Sequence, residues 1–296
     1  MKHIFTTALA TTALVATVNT AQAQNLSYIG VIGQSTSGTN RPNKDDGDGA
    51  AFGFEAGLVY DINSVSRIVA EGRYLNWNSD DDDGPGNLFD DEPGKEVSVA
   101  IHYLRDAGTN LTYGGFLMLG SSVSDEDDVS DDTYEHYAIG IEGTYKINDM
   151  FTTYGQLGVA NTIDDDSADD SSGYLGGEFV RLGAVYTRFE NTNLFLDLQI
   201  GRSDEYEDDD EPGKFQRIAL GGETSFGAAR NWAVTYEISQ AEYDAVGDPN
   251  VIDVTTVGLG MRYYFGGSQS RDFMEAGAIG TPDIISRANL YTVNLN

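Results

Sequence analysis

The chain has 296 residues, a formal net charge of −31 and no cysteine. That charge argues against polyanionic partners such as nucleic acid, the missing cysteines exclude a disulfide scaffold, and no run approaches the ~20 apolar residues of a membrane-crossing helix. Apolar residues at 40% and 35 glycines still suit a sheet in which only every second side chain meets lipid.

The N-terminus reads as a secretory signal. Lys2 and His3 precede the apolar stretch Ile4–Val18, and Ala21-Gln22-Ala23 has the small-x-small form cleaved by signal peptidase. Residues 1–23 are therefore expected to be removed, leaving Gln24 as the first mature residue.

Period-two alternation then predicts twelve strands, at 26–35, 50–61, 66–77, 95–105, 109–121, 133–146, 151–161, 176–188, 193–203, 214–226, 231–241 and 252–265. Phe52, Phe54, Ala56, Leu58 and Tyr60 share one face, opposite Gly53, Glu55, Gly57 and Val59. Leu194, Leu196, Leu198 and Ile200 oppose Phe195, Asp197, Gln199 and Gly201. Val257, Leu259, Met261, Tyr263 and Phe265 oppose Thr256, Gly258, Gly260 and Arg262. The first strand, around Tyr28 to Gln34, alternates least clearly.

The connections alternate too. Short turns carry Asn63-Ser64, Ala107-Gly108, Asn148-Asp149, Glu190-Asn191 and Gly227-Ala228, residues suited to tight reversal. Long loops cover 36–49, 79–94, 122–132, 162–175, 204–213 and 242–251, and most of the acid lies there. Asp125 to Asp128 and Glu207 to Glu211 are examples. Alternate connections of an up-and-down sheet lie at opposite ends, so the pattern predicts a closed antiparallel transmembrane β-barrel of twelve strands, with 10 to 14 as the range. Tyr60, Tyr103, Tyr145, Tyr186 and Tyr263, with Phe226 in the tenth strand, recur on the outward face near the short-turn end, as an aromatic girdle requires.

Asp91-Glu92-Pro93-Gly94-Lys95 recurs as Asp210-Glu211-Pro212-Gly213-Lys214, each time where a long loop enters a strand. Duplication and convergent turn chemistry both explain it. Together with the signal, the paired strands and the strand ending Met261-Arg262-Tyr263-Tyr264-Phe265, residues 24–265 resemble the Gram-negative outer-membrane β-barrels of the porin-like class. The resemblance implies an outer-membrane location, contact with lipid and lipopolysaccharide, and Phe265 as a signal to the barrel-assembly machinery. Residues 266–296 depart from that pattern and read as a periplasmic extension, a lumen plug or an extra strand.

The inward face is expected to carry Glu55, Glu71, Arg73, Glu142, Arg181, Asp197, Arg217, Glu223, Glu237 and Arg262, because charge facing lipid costs about 2–4 kcal/mol for Arg at midplane. Inward Gly53, Gly57, Gly114, Gly140, Gly158, Gly183 and Gly221 would leave room for water. The expected function is passive diffusion of small polar solutes, cation-favouring because acidic mouths concentrate cations. A non-conducting structural or adhesive barrel is the alternative. A hydrolase is another: His102 faces inward, and His136 lies near Asp131, Asp132 and Glu135. No cofactor motif is present. Asp80, Asp81, Asp82, Asp83, Asp208, Asp209 and Asp210 offer weak Ca²⁺ or Mg²⁺ ligands, although neither Asp80–Asp83 nor Asp45-Asp46-Gly47-Asp48 matches an ordered calcium loop.

Overall fold

A computed structural model of the protein describes residues 27–40, 46–80, 94–124, 133–162, 176–203, 213–245 and 251–265, together with Gly280. The first seven ranges hold twelve strands: β1 (Ser27–Asn40), β2 (Asp46–Asn63), β3 (Ser66–Asp80), β4 (Gly94–Ala107), β5 (Leu111–Ser124), β6 (Thr133–Lys146), β7 (Phe151–Thr162), β8 (Gly176–Phe189), β9 (Thr192–Ser203), β10 (Gly213–Phe226), β11 (Trp232–Ala245) and β12 (Val251–Phe265). Each pairs antiparallel with its neighbours in sequence, and β1 pairs with β12 to close the barrel. Closure satisfies every strand edge inside the sheet, which hydrocarbon cannot do. Ser27 faces Phe265 and Asn40 faces Ile252, so the first and last strands meet along their whole length.

The short turns follow their residues. Asn148 Oδ1 accepts hydrogen bonds from the Met150 and Phe151 amides at 2.8 and 3.0 Å, and Asn63 Oδ1 takes the Val65 amide at 3.0 Å. Gly108 at φ +79° and Gly227 at φ +85° supply the left-handed conformation two other reversals need. Ion pairs tie this rim together: Arg67 to Asp106, and Arg230 to Glu190 on the neighbouring turn.

Two expected loops are shorter than their sequence suggested. The β1–β2 ladder runs out to Thr39 opposite Asp46, and the β11–β12 ladder to Asp244 opposite Val251. On β1 the pairing continues through Ser37, Gly38 and Thr39, which show no apolar alternation, and on β11 and β12 it continues through Tyr243 opposite Ile252, which extend the inward apolar row. Residues 1–23 and the tail beyond Phe265, Gly280 excepted, lie outside the described residues.

Alternation sorts the side chains as hydrocarbon requires. Ile141 and Ile200 are 64% exposed and Leu259 62%, all on the outer face. A continuous apolar band of this kind has no place against water, whereas it matches the outer wall of a membrane barrel. The girdle closes it at the short-turn rim: Tyr60, Tyr103, Tyr145 and Phe226 are exposed, Tyr186 packs on Phe151 and Tyr263 on Trp232. The strands have 12 to 18 residues, longer than the ~9–11 needed to cross the hydrocarbon.

Candidate functional site

The inner face divides into layers. Towards the short-turn rim, Tyr28, Val59, Val69, Leu104, Ala233 and Tyr264 pack together. Towards the long loops, Phe116, Met118, Phe179, Phe215, Tyr243, Ile252 and Val254 form a second apolar layer. Between them lies a belt of polar and charged side chains around a cavity of about 260 Å³.

Register builds the belt. Glu142 on β6 lies opposite Gln156 on β7, Gln156 opposite Arg181 on β8, Arg181 opposite Gln199 on β9, and Gln199 opposite Arg217 on β10. One inward row thus crosses five strands. Gln156 Nε2 donates to Glu142 Oε2 at 3.0 Å, and Arg181 Nη1 donates to Gln156 Oε1 at 3.2 Å. Asp197, one step along β9, accepts Arg181 Nε at 2.6 Å and the Tyr154 hydroxyl at 2.5 Å, with Arg217 Nη1 at 3.8 Å. Arg217 also pairs with Glu237 on β11. At the other end His102 Nδ1 meets Glu142 Oε1 at 2.7 Å, while its Nε2 stands 3.7 Å from Glu71 Oε2.

A second group spans the barrel seam. Glu55 on β2 and Arg262 on β12 both lie opposite Gly30 on the intervening β1. A Cβ at Gly30 would stand 2.8 Å from Glu55 Oε1, so the missing side chain lets the carboxylate cross the strand. Arg262 then binds Glu55 with both oxygens, Nε at 2.6 Å and Nη2 at 2.8 Å, and reaches Glu223 through Nη1 at 2.9 Å. Its guanidinium lies 4.5 Å from the Tyr28 ring centroid, and Tyr264 donates to Glu223 at 2.7 Å. Forked geometry of this kind suits Arg and not Lys.

All ten expected charged residues point inward. Nine hold the contacts just given, and Arg73 lines the cavity. Six are carboxylates and four are guanidiniums, leaving a formal excess of two negative charges. Gln156, Gln199, Tyr28, Tyr154 and Tyr264 belong to the belt but were not among the lining residues expected from the sequence. Their inward parity was the available signal.

The glycine expectation needs correction. Four of the seven inward glycines lie under neighbouring aromatic rings rather than beside water, and Gly53 and Gly114 stand against the Tyr74 and Tyr103 carbonyls of the adjoining strands. A Cβ at Gly140 would approach Phe116 Cε1 to 2.8 Å, one at Gly158 would stand 3.0 Å from Phe179 Cζ, and at Gly183 and Gly221 it would enter the rings of Tyr154 and Phe195. Loss of a side chain lets an aromatic ring lie over the backbone, and the interior fills there.

His136 is 3% exposed and faces inward opposite Gly120, whose missing Cβ accommodates the imidazole. A solvated loop-edge histidine is thereby excluded. His102 stacks against Phe116 at 5.7 Å, and among the described residues no hydroxyl bonds to it. Asp80 ends β3; Asp81, Asp82, Asp83, Asp208, Asp209 and Asp210 lie outside the described residues.

No family model and no curated protein sequence matches the chain. Solved structures do match its shape. The translocator domain of the autotransporter NalP from Neisseria meningitidis superposes with a TM-score of 0.52 at 15% identity, over 86% of this chain and 98% of that one. An outer-membrane channel from Pseudomonas putida F1 superposes with a TM-score of 0.59 at 14% identity, over 81% and 95% respectively. At this identity the likeness concerns the fold: the chain is built as outer-membrane β-barrel proteins are.

Proposed function

We propose that the protein is an outer-membrane channel for passive diffusion of small polar solutes, with a preference for cations. The observation that carries this reading is the belt: charged side chains ring a cavity inside a closed wall whose outer surface is apolar. Burying six carboxylates and four guanidiniums in a barrel core costs more than filling it with apolar residues. A polar lumen gives those groups a use, since they can replace part of a solute's hydration shell. The negative excess, set in a chain of net charge −31, raises the local concentration of cations. Lipid and lipopolysaccharide are the partners this reading implies, and the fold shared with the Pseudomonas channel agrees with it.

The packed loop-side layer favours a second reading, a structural barrel that does not conduct. Planar-bilayer recording of the refolded full chain separates the two. Discrete openings support the channel, and a silent bilayer containing correctly folded protein supports the structural barrel. Hydrolysis at His102 is the least supported alternative, because that ring is held by Glu142 and Phe116.

A further inference from the structure

The belt binds one group that no strand supplies. Gly280 lies 15 residues beyond Phe265, the last residue of β12, yet its carbonyl oxygen accepts a hydrogen bond from Gln156 Nε2 at 3.0 Å and another from Arg181 Nη1 at 3.1 Å. It also borders the central cavity. Gly280 has φ +77°, a left-handed conformation that favours glycine.

We propose that the Gly280 carbonyl is the resident partner of the belt's two donors, Gln156 and Arg181, so that the chain itself occupies the lumen at this point and narrows the passage. The inference rests on the channel reading for its consequence but not for its geometry. Distance permits it. Arg262 of the belt sits three residues before Phe265, roughly 10 Å along the strand, whereas fifteen residues can extend roughly 50 Å. Chemistry favours it as well. Gln156 and Arg181 each already donate to a carboxylate, Glu142 and Asp197 respectively, so a neutral carbonyl accepts their remaining N–H groups without adding a further negative charge. Two donors on one oxygen also fix that oxygen's position more narrowly than a single bond would.

The chain has no cysteine, so introduced thiols are unambiguous. In the full chain, Gln156→Cys with Thr281→Cys, the residue following Gly280, is treated with a short bis-maleimide. Leu198→Cys with Thr281→Cys is the control, since Leu198 faces lipid. Heat-modifiable gel mobility verifies that each variant is folded, and peptide mass spectrometry identifies the link. Linkage from 156 but not from 198 is expected. Absence of the 156 link while both thiols label singly, or equal linkage from 198, overturns the placement. Bilayer recording then compares the same protein before and after linking. The linked form is expected to hold a mean conductance at least twofold lower, because Gln156→Cys removes one of the two bonds to the Gly280 carbonyl and the link restores the hold; equal conductance overturns the narrowing. Should both forms stay silent, the channel reading falls, and the cross-link alone decides where the tail lies.

Discussion

The loop-side apolar layer and the polar belt stand on the same inward faces of the same strands, yet they are held by opposite physics. Phe116, Phe179, Phe215 and Tyr243 fill their level by packing, with Phe116 and Phe179 centroids 6.2 Å apart and Phe215 and Tyr243 5.1 Å apart. A few residues along, Glu142, Arg181, Asp197 and Arg217 fill theirs by charge and hydrogen bonds. Period-two alternation marks both as inward and does not tell them apart. The difference teaches that the inside of a small barrel is a sequence of layers, each with its own rule, rather than one polar pipe.

The sharpest way to break the comparison is to remove a charge from the belt. Asp197→Ala leaves Arg181 without its closest carboxylate and Tyr154 without its acceptor. Breaking a buried pair in this way is expected to cost about 3–5 kcal/mol, read as a lower guanidinium midpoint in detergent micelles. The matching cut in the apolar layer is Phe116→Ala, expected to cost about 3–4 kcal/mol through lost burial and a cavity, with little change in ion preference. A belt substitution that leaves stability untouched, or a layer substitution that reverses selectivity, would erase the distinction.

Smaller changes sharpen it. Tyr154→Phe removes the hydroxyl bond to the Asp197 carboxylate but keeps the ring, so a cost of about 1.5–3 kcal/mol is expected. Gly183→Ala puts a methyl into the Tyr154 ring and is expected to cost about 1–3 kcal/mol by overpacking. The smallest effect lies at the rim, outside both layers. There Arg230 hydrogen-bonds the exposed Glu190 and holds its carboxyl below the ordinary value of 4.5. A depressed folded pKa contributes stability above about pH 4.5 that is lost as the pH falls through the folded value. The expected result is a slight drop in unfolding midpoint across that acidic window, absent in Arg230→Ala.

Much of this architecture was legible. Eleven of the twelve strands follow from alternation and turn chemistry, because hydrocarbon on one side enforces parity; β1 alternates least clearly and is fixed by its pairing with β2 and β12. Parity also gave the ten charged residues expected on the inner face, although it was not applied to Glu96, which is buried there on β4. Partnerships were not legible, since they depend on register across the closed sheet: Glu55 and Arg262 meet 207 residues apart in sequence, over a glycine on a third strand. The inward glycines misled for the same reason. Whether a missing Cβ admits water or a ring depends on the residue facing it, as Gly140 and Phe116 show. Gly280 carries no pattern at all, and only its two donors mark it.

The central claim is that the belt governs passage through a membrane-spanning wall. Reversal potential under a potassium chloride gradient tests it most directly, in the parent protein and in Glu71→Gln, whose carboxylate lines the cavity and has His102 at 3.7 Å. The account predicts discrete openings, a reversal potential on the cation side, and a shift towards zero in the variant. Openings with anion preference, or a reversal potential that ignores the lost carboxylate, would contradict it.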